Sequence, residues 1–217
     1  MIGIIGIGAM GGAIARGLIA AGAAPGELVV YSANVEANAR FVHETGAKLA
    51  YSNVDLVERA GDGAIVVVAV KPFAVGGVLD EIRKAAAKRG SVIVSVAAGT
   101  PIEFLESRLE PGQPVVRTMP NMAAAVGASV TAYACNPAAA PRADDVADVL
   151  ASIGIAEPMA ENDFSAFSAI AGCSPAFTFG YIDAMARAAV KNGLPKASAT
   201  RIAAQAVYGA ARLLLAK

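Results

Sequence analysis

The chain has 217 residues, of which 56% are hydrophobic and 17% charged, a balance too apolar for a disordered polypeptide. Its 18 basic and 18 acidic residues give a formal net charge of zero. No basic block stands out to follow a nucleic-acid backbone, so nucleic acid is not an expected partner. The length suits one large domain, or one domain and a smaller companion, and the scarcity of charge implies that a second subunit covers some apolar surface.

After Met1 the chain reads "IGIIGIGAMGGAIARGL", residues 2–18. This start is interrupted by glycine and lacks a basic flank, so it reads as folded protein and not as a signal peptide; the expected location is the cytoplasm. Ile2, Ile4, Ile5 and Ile7 form a short apolar strand of the kind covered on both faces. Gly6, Gly8 and Gly11 follow at the spacing G-x-G-x-x-G. Their physical tasks are a tight turn, close approach of backbone to a pyrophosphate, and close packing of helix on strand. Ala13, Ile14, Leu18 and Ile19 repeat at helical spacing, and "AGAAPG" stops that helix. The strand "ELVVY" comes next. Strand, glycines, helix and strand are the context in which this fingerprint signals a dinucleotide.

The end of the second strand bears on which dinucleotide. An NAD enzyme usually carries Asp or Glu there to accept from the ribose 2′-hydroxyl. Here Tyr31, Ser32, Ala33 and Asn34 stand in that place, and the first acid is Glu36. Ser32 and Asn34 can donate to a 2′-phosphate, which favours NADP(H); they can also cap a helix beginning near Val35. Arg40 lies further along that helix, its direction unset. His43, the one histidine, falls in a polar helical stretch and is expected to face solvent.

"AIVVVAV" (64–70) reads as the strongest strand and ends in Lys71-Pro72, where Pro72 opens the following helix. "SVIVSVA" (91–97), "PVVRTMP" (114–120) and "GASVTAY" (127–133) are further strands. Helical stretches near 73–88, 101–110 and 141–152 separate or follow them. This alternation predicts an α/β, Rossmann-type, doubly wound and mainly parallel sheet over residues 1–160. Its ligands belong at the carboxyl ends of the strands.

These segments carry a resemblance. "IGIGAMGGAIARGL", "AVKP", "SVAAGT", "VVRTMPNMAAAVGASVTAY", "AIAGCSPAF" and "KNGLP" stand in the order and spacing of the pyrroline-5-carboxylate reductase family, which the chain resembles over essentially its whole length. The resemblance implies reduction of the cyclic imine pyrroline-5-carboxylate to proline, the last step of proline biosynthesis. It implies NADP(H) as cofactor, with NAD(H) as the alternative. It places the cofactor on Gly6, Gly8, Ala9, Met10, Gly11, Ser32, Asn53, Ala69, Val70, Lys71 and Pro72. It places Ala97, Ala98 and Asn121 where nicotinamide and imine meet. Asn53, in "YSNVD", passes on composition for a helix cap, and the resemblance alone gives it a cofactor role. No catalytic acid or base is named and no metal is expected. The strand ends offer neither histidine nor paired carboxylates, equipment a ketone reductase normally needs to protonate its alkoxide. A protonated imine is already electrophilic.

From residue 161 to 217 the reading is a small all-α dimerisation domain. The stretch from Phe164 to Ile182 carries no charge. Gly172, Cys173, Ser174 and Pro175 break it, so it is expected inside protein and not in a membrane. Ser174 reads as an N-cap with Pro175 at the first helical position. The free N–H groups there suit the substrate carboxylate, which makes Cys173 and Ser174 substrate-binding candidates alongside Asn121; the alternative is a simple kink in a packed helix pair. The family has Ser and Gly at these two positions. Gly193 is expected as a left-handed cap, and another helix starts near Lys196. Cys135 and Cys173 are expected as reduced, mostly buried thiols.

The family continues past "GAARLLL" with a helical region containing an S-P-G-G-T-T motif. The chain ends at Lys217 without it, so the helical domain is expected to be incomplete. Two apolar helices need a partner, and a homodimer or higher homo-oligomer is expected. Two other readings stand beside this one. A β-hydroxyacid-dehydrogenase-like oxidoreductase would need a lysine and an asparagine one turn apart, whereas Lys191 and Asn192 are adjacent. The other is a non-catalytic, NADP-binding dimeric protein.

Overall fold

The strand β1 (Ile2–Ile5) sends Ile4 to one face of a sheet and Ile5 to the other, and both are buried. Alternation of this kind with no polar face requires a cover on each side. The structure, a computed structural model, describes residues 1–216; Lys217, with which the expected helical domain ends, lies outside the described residues. The other strands are β2 (Leu28–Tyr31), β3 (Lys48–Leu49), β4 (Ile65–Val68), β5 (Val92–Ser95), β6 (Val115–Met119), β7 (Ser129–Cys135) and β8 (Gly154–Pro158). They form one sheet in the order β3-β2-β1-β4-β5-β6-β7-β8. All neighbours run parallel except β6 and β7. The strand order reverses direction at β1, where β2 lies on one side and β4 on the other. That is the switch point at which such sheets bind ligands.

Two apolar layers enclose the sheet. One packs Ile4, Leu28, Val30, Val67 and Val94 with Ile14 and Leu18 of α1 (Ala9–Ala20), Phe41 of α2 (Val35–Thr45) and Leu150 of α6 (Ala143–Ala151). The other packs Ile5, Val29, Val66, Val68 and Ile93 with Leu56 of α3 (Asn53–Ala60), Leu79 and Ile82 of α4 (Pro72–Arg89) and Leu105 of α5 (Ile102–Ser107). Each fully buried Leu, Ile or Val contributes about 1.5–3 kcal/mol. These residues therefore hold the strand ends in place.

The expected parallel α/β sheet is present, with two strands more than the sequence reading names. β3 is two residues long and β8 carries Glu157 and Pro158 on the opposite edge. Neither has the apolar run of an inner strand. Pro72 opens α4 as expected, with Lys71 at the position before it, and Asn34 caps α2 through its side chain, also as expected. His43 is exposed.

Compact units extend over residues 1–168 and 169–217. The first ends with α7 (Phe164–Phe167), and the chain passes from it through a π-helical turn, Ser168–Gly172. In the second, α8 (Ser174–Lys191) and α9 (Lys196–Leu215) pack together. Within these two helices the buried residues are Ala186, Ala199 and Ala203. Phe177, Phe179, Tyr181, Ile202, Tyr208 and Leu213 to Leu215 are exposed, so the apolar surface expected to need a partner lies here. Gly193 has φ +95°, and its N–H bonds the Val190 carbonyl while the Leu194 N–H bonds that of Ala189. That double closure is the cap expected of it. No helix among the described residues is long and apolar enough to cross a membrane.

Two expectations fail. Ser174 is not an N-cap: Cys173 holds that position in helical conformation, no side chain caps the helix, and Pro175 is the second residue. The preceding turns are already helical, so no extended residue exists to act as a cap. Cys173 is exposed, and only Cys135 is partly buried.

Candidate functional site

Gly6 follows β1 with φ +91°, a conformation that L side chains rarely adopt. Its N–H donates to the Tyr31 carbonyl at 2.7 Å, and a Cβ there would sit 2.6 Å from the Ala69 carbonyl oxygen. The turn is thus pressed between β2 and the end of β4. Gly8 follows as the cap of α1, exposed, with nothing within 4 Å of an added Cβ. No side chain caps α1, and its first turn holds no acidic residue. The N-terminal N–H groups of α1 therefore meet no internal anion, the arrangement that receives a phosphate.

A cleft of about 860 Å³ opens beside this turn. Gly6, Gly8, Ala9 and Met10 form one wall; Ser32 follows β2; Asn53 stands at the start of α3; Ala69, Val70, Lys71 and Pro72 follow β4; Ala97 and Ala98 follow β5. Gly11 lies beneath, buried, where a Cβ would come 1.9 Å from the Gly6 carbonyl oxygen. Its task is packing of helix on turn. Among the residues lining the cleft, Lys71 is the one cation and Glu81 the one carboxylate. The Ala97 turn is fixed by Thr100, whose hydroxyl donates to the Ala97 carbonyl at 2.8 Å.

Sequence reading did not find the α4 face of this cleft, made by Ala74, Gly77, Val78 and Glu81. The signal available was their spacing of three or four residues beyond Pro72, one helix face. Asn53 is the first residue of α3 and not its cap. Ser52 caps the helix, its Oγ accepting from the Asp55 N–H at 3.0 Å. The Asn53 side chain instead donates from Nδ2 to Glu81 Oε2 at 2.7 Å.

At the end of β2, Ser32 Oγ accepts from the Asn34 N–H at 3.3 Å, and Asn34 Oδ1 accepts from the Ala37 N–H at 2.9 Å. The cap occupies the Asn34 carbonyl and leaves its amide nitrogen to donate elsewhere. Arg40 lines a separate groove with Arg16, Phe41 and Glu44. There Arg16 is paired with Glu44 at 2.6 Å.

Asn121 does not line the cleft. It follows β6 and caps the 3₁₀ turn Met122–Val126, Oδ1 accepting from the Ala123 N–H at 3.0 Å. Its own N–H donates to Ser129 Oγ. Cys173 and Ser174 belong to the helical unit, both exposed. The carbonyl of Cys173 already accepts the N–H of Ala176 and of Phe177. Asn192 donates from its side chain to the Ala188 carbonyl, which uses it in closing α8.

Known proteins similar to this chain identify its family. Residues 161–217 match the family described as pyrroline-5-carboxylate reductase dimerisation, and residues 1–99 match NADP oxidoreductase coenzyme F420-dependent. The pyrroline-5-carboxylate reductase of Mycobacterium leprae is 39% identical over 219 residues, covering 99% of this chain and 73% of that protein. The chain belongs to the pyrroline-5-carboxylate reductase family. Two solved structures agree in fold over 100% of this chain. The Coxiella burnetii pyrroline-5-carboxylate reductase has a TM-score of 0.93 at 28% identity, with 80% of that chain covered. The Plasmodium falciparum pyrroline carboxylate reductase, solved with NADP bound, has a TM-score of 0.86 at 28% identity, with 79% covered. The dimerisation family matches the region that holds α8 and α9, on which the exposed apolar side chains lie.

Proposed function

We propose that the chain reduces pyrroline-5-carboxylate to proline with NADPH, in the cytoplasm, as a homodimer or larger homo-oligomer. The observation that carries this reading is the cleft itself: a glycine-lined phosphate cradle joined to strand ends that hold no histidine and no pair of carboxylates.

The residues present fit a dinucleotide. The uncapped start of α1 and the open Gly8 suit a pyrophosphate. Ser32 and Asn34, with no acid before Glu36, suit a 2′-phosphate better than a bare ribose. When bound, NADPH supplies the hydride that the C=N carbon receives. The chain's own work is to hold the reactants and exclude water. Ala97 and Ala98 leave room beside the strand ends, and the Thr100 bond keeps that turn rigid. A protonated imine asks for orientation and electrostatics more than for a strong general acid.

In this reading residues 1–160 bind NADP(H), and residues 161–217 supply dimerisation and substrate contacts. The resemblance gives Asn121 to the meeting place of nicotinamide and imine, and the start of α8, at Cys173 and Ser174, is assigned here to the substrate carboxylate. The deciding assay is oxidation of NADPH on addition of pyrroline-5-carboxylate, with proline as the product identified. Binding of NADPH without turnover would favour the non-catalytic reading. Ser174→Asp, which sets a negative charge against the substrate carboxylate, should raise the imine KM about tenfold or more with NADPH affinity unchanged. Unchanged substrate kinetics would remove Ser174 from the site.

A further inference from the structure

One hydrogen bond joins two side chains that both line the cleft, Asn53 Nδ2 to Glu81 Oε2 at 2.7 Å. The residues lie 28 positions apart, on α3 and α4. A primary amide has a donating and an accepting end, and an ionised carboxylate only accepts. The bond therefore dictates which end of Asn53 faces Glu81, and it leaves Oδ1 and one N–H for other partners. Bonds to ionised groups are also stronger than neutral ones. Glu81 stands ten residues beyond Lys71 on α4, about 15 Å at 1.5 Å per residue. Its negative charge makes this end of the cleft a poor place for phosphate and a good one for a hydroxyl donor.

We propose that Glu81 is a positioning residue for the nucleotide: by accepting from Asn53 it presents the Asn53 carbonyl oxygen as the acceptor for a ribose hydroxyl. The inference rests on the reading that the cleft takes NADPH. Between Lys71 and Glu81 the α4 face is Ala74, Gly77 and Val78, small enough for a nucleoside to lie along it.

The test is a fluorescence titration of NADPH into the full chain and four variants. Glu81→Ala should weaken binding about threefold to tenfold, and Asn53→Ala should do the same. The double variant should bind no worse than Asn53→Ala, because the two residues act as one unit. Glu81→Gln can still accept from Asn53 but can equally donate to it, so it no longer dictates the orientation of Asn53 and its loss should fall between the parent and Glu81→Ala. In turnover the loss should appear in the cofactor KM with kcat retained. Full affinity in Glu81→Ala, multiplied losses in the double variant, or equal losses in Glu81→Gln and Glu81→Ala would each overturn the proposal. Glu81 is exposed, so melting temperatures should match across its variants. Failure of the parent chain to bind NADPH would instead overturn the underlying reading, before any variant is compared.

Discussion

A Cβ placed on Gly11 would lie 1.9 Å from the carbonyl oxygen of Gly6. That oxygen belongs to backbone pressed between β2 and β4, so it has nowhere to retreat. Gly11→Ala must push α1 off the turn. Overpacking of this kind costs about 1–3 kcal/mol, and the displaced helix end no longer faces the phosphate. Both stability in urea and NADPH affinity should fall. Gly8→Ala is the informative contrast, because its Cβ meets nothing within 4 Å. It should melt as the parent does while losing NADPH affinity, the new methyl occupying space the pyrophosphate needs. An unaffected titration for Gly8→Ala would deny that phosphate lies there.

Cofactor choice turns on Ser32. Ser32→Asp keeps an oxygen to accept the Asn34 N–H, now made by the Ser32 hydroxyl, so the α2 cap survives. It also brings a negative charge to the place proposed for the 2′-phosphate. The ratio of kcat/KM for NADPH over NADH should drop about tenfold or more, the equivalent of 1.4 kcal/mol per decade. An unaltered ratio would place the 2′-phosphate elsewhere.

The central strands and the glycine turn were legible because each of their residues answers to one local rule. β4 is four buried β-branched residues, and Gly6 and Gly11 are each required locally, by a φ of +91° and by a Cβ that would meet the Gly6 carbonyl. The edge strands were not legible. β8 is held by pairing with β7, and its own residues, Gly154 to Pro158, carry no strand pattern. Ser174 was misread because Ser-Pro usually starts a helix, while here the π turn Ser168–Gly172 brings the chain in already coiled. Glu81 was out of reach for a different reason. Its partner Asn53 sits on another helix, and only the packing of α3 on α4 brings the two together.

The Asp55 carboxylate gives a pH signature. It accepts the Tyr51 N–H at 2.9 Å and Arg59 Nε at 2.7 Å. The backbone bond foremost, with Arg59 beside it, holds its carboxyl below the ordinary value against an opposing effect of burial. A carboxyl lowered on folding stabilises the native state above its unfolded pKa, about 3.9. That contribution fades as pH falls through the lower folded value. Asp55→Asn should therefore melt below the parent at neutral pH, and the two curves should converge under about pH 4. Parallel curves across the acid range would mean that Asp55 contributes nothing through ionisation.

Glu161 ties the start of α5 to β6. Its Oε1 accepts the Ile102 N–H at 2.7 Å and Arg117 Nη1 at 2.8 Å. Ile102 opens α5, whose cap residue Pro101 has no side chain to offer, so Glu161 supplies the cap from 59 residues away. The Arg117 guanidinium also lies 4.5 Å from the centre of the buried Phe164 ring. With side chains 16% and 31% exposed, this pair is shielded enough to matter, unlike the surface pairs. Glu161→Ala removes both bonds and leaves a half-buried cation unpaired, so it should cost about 1–3 kcal/mol in urea denaturation. Glu161→Gln retains one accepting oxygen and should cost less. The turn from Ala97 to Thr100 leads directly into α5, so loss of that anchor should also lower kcat more than it raises the NADPH KM. A stable Glu161→Ala protein with parental kcat would show that the Thr100 bond alone holds the turn.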